Sequence, residues 1–214
     1  MKKCVAMLIV LFCLVSCQNQ TCDNKGSDNN TSEVTSEASK ETSKSRYAIK
    51  SGIVEYKTEI MGMATKQTLT FDDYGKKEAT DVEMEMMGTK IHTVTITRDG
   101  FIYTLDMHKK TGTKINGNSP NIDFENLSEQ IVNDMNLKKE GKEEFLGKTC
   151  EKISIDYTKM KMKGTFLVYK GVALKVDTDM GTMKMKLVAD KFVENPEIPA
   201  EKFEIPADIT ITVN

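Results

Sequence analysis

Methionine is the side chain with the most unusual chemical promise in this sequence. There are fourteen in 214 residues, with Met61 and Met63, Met84, Met86 and Met87, Met160 and Met162, and Met180, Met183 and Met185 in short clusters. A thioether is a soft ligand suited to Cu(I). It is also a flexible, polarizable group suited to an adaptable apolar pocket, and an ordinary filler of strand cores. Met160 and Met162 alternate with Lys159, Lys161 and Lys163, and Met183 and Met185 with Lys184 and Lys186. Each pair therefore shares one face of a strand. That spacing fits a plain core, a cavity lining and a copper site alike, although the imidazoles that suit copper, His92 and His108, fall in other strands.

The remaining reactive groups form no catalytic set. His92 has the parity of Val94 and Ile96, and His108 that of Asp106, which reads as structural or exposed histidine. Cys150 has the parity of Lys152, Ser154 and Asp156 and reads as an inert thiol unless a cation lowers its pKa. Asp81, Glu83 and Glu85 lie about 7 Å apart along one strand face and read as solvated carboxylates. There is no Gly-x-Ser-x-Gly elbow, no glycine-rich phosphate cradle and no zinc spacing of Cys or His pairs. The expectation is a protein that is not an enzyme, with no catalytic residues, cofactor or bound metal.

The elements that carry these residues are strands. Val54, Tyr56, Thr58 and Ile60 share a parity. Leu69 with Phe71, Val82 with Met84 and Met86, Phe101 with Tyr103, Leu105 and Met107, Ile153 with Ile155 and Tyr157, and Val172 with Leu174 and Val176 do the same. Strict alternation means half-buried antiparallel strands. Turn signals separate them at Met87-Gly88, Asp99-Gly100, Leu146-Gly147, Lys170-Gly171 and Met180-Gly181, which predicts nine to eleven strands. One stretch differs: Phe124, Leu127, Ile131 and Met135 are spaced as one face of a helix. A helix of about fourteen residues is expected there, with Asp123 at its N-cap, lying across the concave face of the sheet.

Composition and termini set the address. The net charge is −2, and basic residues are interspersed with acidic ones, so no nucleic-acid footprint exists. Lys2 and Lys3 precede an uncharged apolar run, Val5 to Val15, that is too short to span a bilayer and long enough for a signal h-region. It ends in Leu14-Val15-Ser16-Cys17, which resembles the lipobox of bacterial lipoproteins. That resemblance implies removal of residues 1–16 and lipidation of the Cys17 thiol. Residues 17–45 then form a low-complexity tether too poor in apolar side chains to fold, with a reach of about 30 Å. A single domain occupies residues 46–214. Cys22 in the tether and Cys150 in the domain are not expected to pair.

Three segments carry a further resemblance. Residues 141–153, with Phe145-Leu146-Gly147-Lys148-Thr149-Cys150, residues 169–176, and the closing Ile198-Pro199 to Phe203-Glu204-Ile205-Pro206-Ala207 are similar to those of bacterial envelope lipoproteins related to the LolA/LolB-like lipoprotein-carrier superfamily. The resemblance implies a mainly β, α+β fold: an antiparallel unclosed barrel, or half-pipe, with one amphipathic helix as a lid. It implies a membrane-anchored envelope lipoprotein of the outer membrane, facing the periplasm, that binds a lipid, a lipidated protein or another hydrophobic ligand. On that reading Tyr56, Leu69, Phe71, Met84, Met86, Phe101, Tyr103, Leu105 and Met107 line the ligand site, and Phe124, Leu127 and Ile131 form its lid. An adaptor with a filled core and a protein partner, and a methionine-rich copper-binding protein, are the alternatives. Oligomeric state is not legible.

Overall fold

The computed structural model describes residues 45–60, 63–119, 121–181 and 183–213. Cys17 and the tether lie outside the described residues. Ser45 onward forms one compact unit.

Twelve strands build a single open sheet: β1 (Gly52–Ile60), β2 (Met63–Asp72), β3 (Lys77–Met86), β4 (Thr89–Arg98), β5 (Phe101–Asp106), β6 (Thr111–Asn116), β7 (Lys138–Phe145), β8 (Lys148–Tyr157), β9 (Met162–Tyr169), β10 (Val172–Asp179), β11 (Lys184–Glu194) and β12 (Thr210–Val213). Their spatial order is β12-β6-β5-β4-β3-β2-β1-β11-β10-β9-β8-β7. Every neighbour is antiparallel except β12, which pairs with β6 in parallel. The sheet therefore consists of two meanders joined where β1 meets β11, and among the described residues its two edges, β12 and β7, are unpaired on their outer sides. One edge, β7, is blunted by exposed charge and by a register shift between Lys139 and Gly141.

Local chemistry fixes the hairpins. Met87-Gly88, Asp99-Gly100, Leu146-Gly147 and Lys170-Gly171 all take positive φ at both positions, the two-residue turn whose twist matches that of the flanking strands. A two-residue turn also pairs the residues on either side of it, so Met86 opposes Thr89 and Arg98 opposes Phe101. Side-chain parity on each strand is thereby tied to that of its neighbour.

The helix is shorter than its apolar spacing suggests. α1 spans Glu129–Asp134, and its N-cap is Ser128, whose hydroxyl accepts from the Ile131 N–H at 3.2 Å. Asp123 instead accepts from the Asn126 N–H at 3.1 Å and closes a turn of its own. Asp123 therefore caps a turn and not a helix. Phe124 and Leu127 precede the helix, and the 3-4-4 spacing reflects a strap whose apolar side chains all point at one sheet face.

Two cores result. The larger joins Val54, Tyr56, Leu69 and Phe71 to β8–β11 and is covered by Ile122, Phe124, Leu127, Ile131 and Met135 of the strap. The smaller, on the opposite face, joins Ala79, Ile96, Tyr103 and Leu105 to Phe203 and Ile209 of the closing segment. These faces are called inner and outer below. Phe203 is 2% exposed, so Phe203→Ala is expected to destabilise the protein by about 3–5 kcal/mol in urea unfolding. A loss below about 1 kcal/mol would mean that the closing segment does not seal the outer face.

Candidate functional site: the inner face of the sheet

Registers place each expected lining residue. Val54 opposes Leu69 and Gly52 opposes Phe71. Phe71 opposes Glu78, and Gln67 opposes Val82. Tyr56, Leu69, Phe71, Met84 and Met86 therefore lie on the inner face. Following the pairs onward, Glu78 opposes Thr97 and Thr97 opposes Ile102, so the even residues of β5 face inward. Phe101, Tyr103, Leu105 and Met107 point outward instead, into the smaller core. The expected lining set thus divides between two faces, and Ile102 is the β5 side chain that belongs with Phe71. Of the expected lid, Phe124, Leu127 and Ile131 all pack on the inner core, with the Phe124 ring 5.3 Å from that of Phe166.

A buried polar cluster pins the strap to the inner face. Glu78 on β3 has a side chain 3% exposed, and its Oε1 lies 3.2 Å from Nε of Arg46. The Tyr47 hydroxyl donates to Oε1 at 3.0 Å. Ser119 Oγ and Asn121 Nδ2 donate to Oε2. The Arg46 guanidinium in turn donates to the backbone carbonyls of Asn121 at 2.6 Å and Ser119 at 3.3 Å. One carboxylate therefore joins the chain's entry segment, β3 and the start of the strap. Burial pushes the Glu78 carboxyl above its ordinary value of 4.5, against the opposing pull of Arg46 and of its hydrogen-bond donors. Burial likewise raises the Tyr47 and Tyr56 hydroxyls, with the Glu78 charge adding to both, and Tyr56 donates to the Ala173 carbonyl at 2.8 Å.

The strap starts at one end of the inner face and finishes beside the β8–β9 turn at the other, where Lys159 pairs with Asp134 at 3.2 Å. Its first turn is held at Glu78, and Arg46 and Ala48 bond the carbonyls of Tyr74 and Lys170 at the same end. α1 then runs along β8, where the Asp156 N–H donates to the Met135 carbonyl at 3.1 Å. The methionines gather at that second end, beside the strap's last residues. Of the eleven described methionines, all but Met135 sit within two residues of a strand terminus at that end. Met63, Met84, Met86, Met162 and Met185 point inward by register and are only half-buried. Met87, at the tip of the β3–β4 turn, is fully exposed. Beneath this rim, Oγ1 of Thr58 and Oγ1 of Thr178 are buried with no hydrogen-bond partner. Thr178 opposes Met185 directly. An orphaned buried hydroxyl costs about 1–3 kcal/mol.

The remaining candidate chemistry lies elsewhere. His92 bonds Asp81 through Nε2 at 3.0 Å, and its ring meets that of His108 edge-on at 6.3 Å. His92 shares the outer face with Asp81 and Glu83, whose ligand atoms and its own lie within 4.8 Å of one another. The histidines therefore do not join the inward methionines. Cys150 is buried and free, and burial with Glu144 and Glu143 nearby raises its pKa, the opposite of activation. A shallow depression of about 430 Å³, lined by Asp156, Thr158, Lys161, Lys163, Asp179 and Gly181, opens near the β8–β9 turn. The half-exposed rim is not readable in the sequence as a group, because its members come from strands far apart in the chain. The buried Glu78 leaves no local signal.

No protein-family model and no curated protein matches the sequence. Solved structures do resemble it. An uncharacterized conserved protein from Thermus thermophilus superposes with a TM-score of 0.52 at 10% identity, covering 78% of this chain and 92% of that one. MucB in the Pseudomonas aeruginosa MucA/MucB complex gives 0.47 at 9% identity, covering 76% of this chain and 58% of that chain. A putative outer membrane lipoprotein-sorting protein domain from Vibrio parahaemolyticus gives 0.40 at 10% identity, covering 74% and 91%. The first likeness is one of fold: a mainly β open sheet. The other two are too distant to carry an argument.

Arg46→Ala would leave the Glu78 charge buried without its counter-ion, at a cost of about 3–5 kcal/mol near pH 7. Because the Glu78 pKa is raised in the fold, its contribution to stability is complete below its unfolded value and declines as pH rises through the folded one. The Arg46→Ala penalty should therefore shrink on acidification toward about pH 4, as Glu78 takes up its proton. Urea unfolding of both proteins at the two pH values measures this, and a penalty that does not change with pH would contradict it.

Proposed function

We propose that this chain is a non-enzymatic envelope lipoprotein, anchored at the periplasmic side of the outer membrane through lipid on Cys17. On this reading it holds a hydrophobic ligand on the inner face of its sheet. The observation that carries the reading is the methionine rim. A fold whose inward Met63, Met84, Met86, Met162 and Met185 stay only half-buried exposes apolar surface where a ligand gains by desolvation, at about 25 cal/mol per Å² removed from water. Methionine suits this because it repacks around differently shaped guests. The orphaned hydroxyls of Thr58 and Thr178 supply buried polar contacts that a bound molecule would complete. No enzymatic step enters the proposal: the raised Cys150 thiol and the outward His92 offer no nucleophile–base pair.

A second reading shares the same surface. The rim, with Met87 fully exposed at its tip, would equally suit an apolar segment of a protein partner, which would make the chain an adaptor. Native mass spectrometry of the gently purified protein, with organic extraction of what travels with it, separates the two. The expected result is a co-purifying lipid, together with uptake of a fluorescent fatty acid that falls at least tenfold in Met84→Asp and Met185→Asp. Both side chains are half-buried, so these variants are expected to stay folded. A bare mass with no uptake would overturn the ligand reading and leave the adaptor.

A further inference from the structure

The inner face is chemically divided, and its second half is a platform of hydroxyls. On β3, Thr80 opposes Thr95 of β4. Thr95 opposes Thr104 of β5, and Thr104 opposes Thr113 of β6. Thr113 opposes Thr212 of β12 in the parallel pair. Five strands thus present one unbroken row of threonines, about 19 Å long at roughly 4.8 Å per strand. One step toward the methionine end, Thr93, Thr111 and Thr210 add a second row, interrupted only by Asp106. Thr80, Thr95 and Thr104 are half-buried, and Thr113 and Thr212 are exposed. None of these five hydroxyls makes a hydrogen bond among the described residues, so each keeps a donor and two acceptor sites to offer.

The platform carries no free charge. Register puts every lysine and arginine of β3–β6 on the outer face, from Lys77 and Lys90 to Arg98 and Lys114. Its two carboxylates are already satisfied: Glu78 within the Arg46 cluster, and Asp106 by Lys109 and two backbone N–H groups. A phosphate or carboxylate brought onto this surface would lose its hydration and meet no cation but Lys109, which Asp106 already holds, and that is costly. A neutral group rich in hydroxyls would exchange water for hydroxyl partners of its own kind. Val82, beside Thr93, leads directly from the platform to Met84 and Met86, so polar and apolar halves form one continuous surface.

Resting on the ligand-binding function above, we propose that the ligand is an amphiphile with an uncharged, polyhydroxylated head, such as a glycolipid, whose head lies on the threonine rows and whose chain lies against the methionine rim. Specificity here works by exclusion, since the one cation on the face, Lys109, is already paired with Asp106.

Three twelve-carbon amphiphiles that differ only in the head test this: dodecyl maltoside, laurate and dodecylphosphocholine, each titrated into the full chain below micelle formation and followed by calorimetry. The maltoside should bind at least tenfold more tightly than laurate. Thr95→Val with Thr104→Val, near-isosteric changes on a solvent-facing surface, should weaken the maltoside at least fivefold and leave laurate unchanged or tighter, while circular dichroism stays native. Equal affinity for all three heads, or loss of laurate and maltoside together in the valine variant, would overturn the head assignment and leave the hydrophobic-ligand function standing. Failure of all three to bind would overturn both.

Discussion

A buried carboxylate organises this molecule. Glu78 sits under the strap with only 3% of its side chain exposed, and everything that defines the inner face converges on it. Arg46 and Tyr47 tie down the chain where it enters the domain, and Ser119 and Asn121 tie down the strap where it leaves β6. Burying a charge is costly unless it is paired and hydrogen-bonded, and a strap in any other position would take both side-chain donors from Oε2 of Glu78. Buried ion pairs of this kind are better understood as fixing an arrangement than as adding stability. Here the arrangement fixed is where the strap begins its path over the inner face.

From that constraint the division of labour follows. The end held by Glu78 becomes a packed core, with Tyr47 against Phe71 at 4.2 Å between ring centroids and Phe124 on Phe166. The far end receives the β3–β4, β8–β9 and β10–β11 connections, and with them the methionines. The sheet does not close, so among the described residues the inner face beyond the strap has only side chains to shield it. Those side chains are apolar near β1, β9 and β11 and hydroxylic across β3–β6. The outer face is handled separately by the closing segment, whose Phe203 and Ile209 seal Ala79, Ile96 and Leu105.

Much of the fold is legible in the sequence because its signals are local. Alternation announces the strands, and the X-Gly pairs announce turns that adopt positive φ at both positions. The division of the lining residues between faces is harder to read. Alternation says that Phe101, Tyr103 and Leu105 share a face but not which one. Two-residue turns at Met87-Gly88 and Asp99-Gly100 invert parity from strand to strand, and counting through them sends those three outward. Assigning every apolar set to one core places them inside, whereas a second core exists under a C-terminal segment whose docking is a long-range event. The helix is overestimated for a related reason: Phe124 and Leu127 are apolar because the strap faces the sheet, and periodicity cannot separate that from helical packing. The threonines of β4, alternating from Thr93 to Thr97, are visible in the sequence. Their alignment with Thr80, Thr104 and Thr113 depends on register. Glu78 among solvated carboxylates carries no mark of its burial.

The central claim is that amphiphiles occupy the methionine rim of the inner face, and methyl NMR of the methionines observes that rim directly. With ¹³C-labelled methionine methyl groups, titration with dodecyl maltoside is predicted to shift the signals of Met63, Met84, Met86, Met162 and Met185. Met135, the buried residue that closes the strap's helix, and Met107, on the outer face, should stay unmoved. Shifts confined to Met107, or saturable binding that leaves all five inward methionines unchanged, would contradict it.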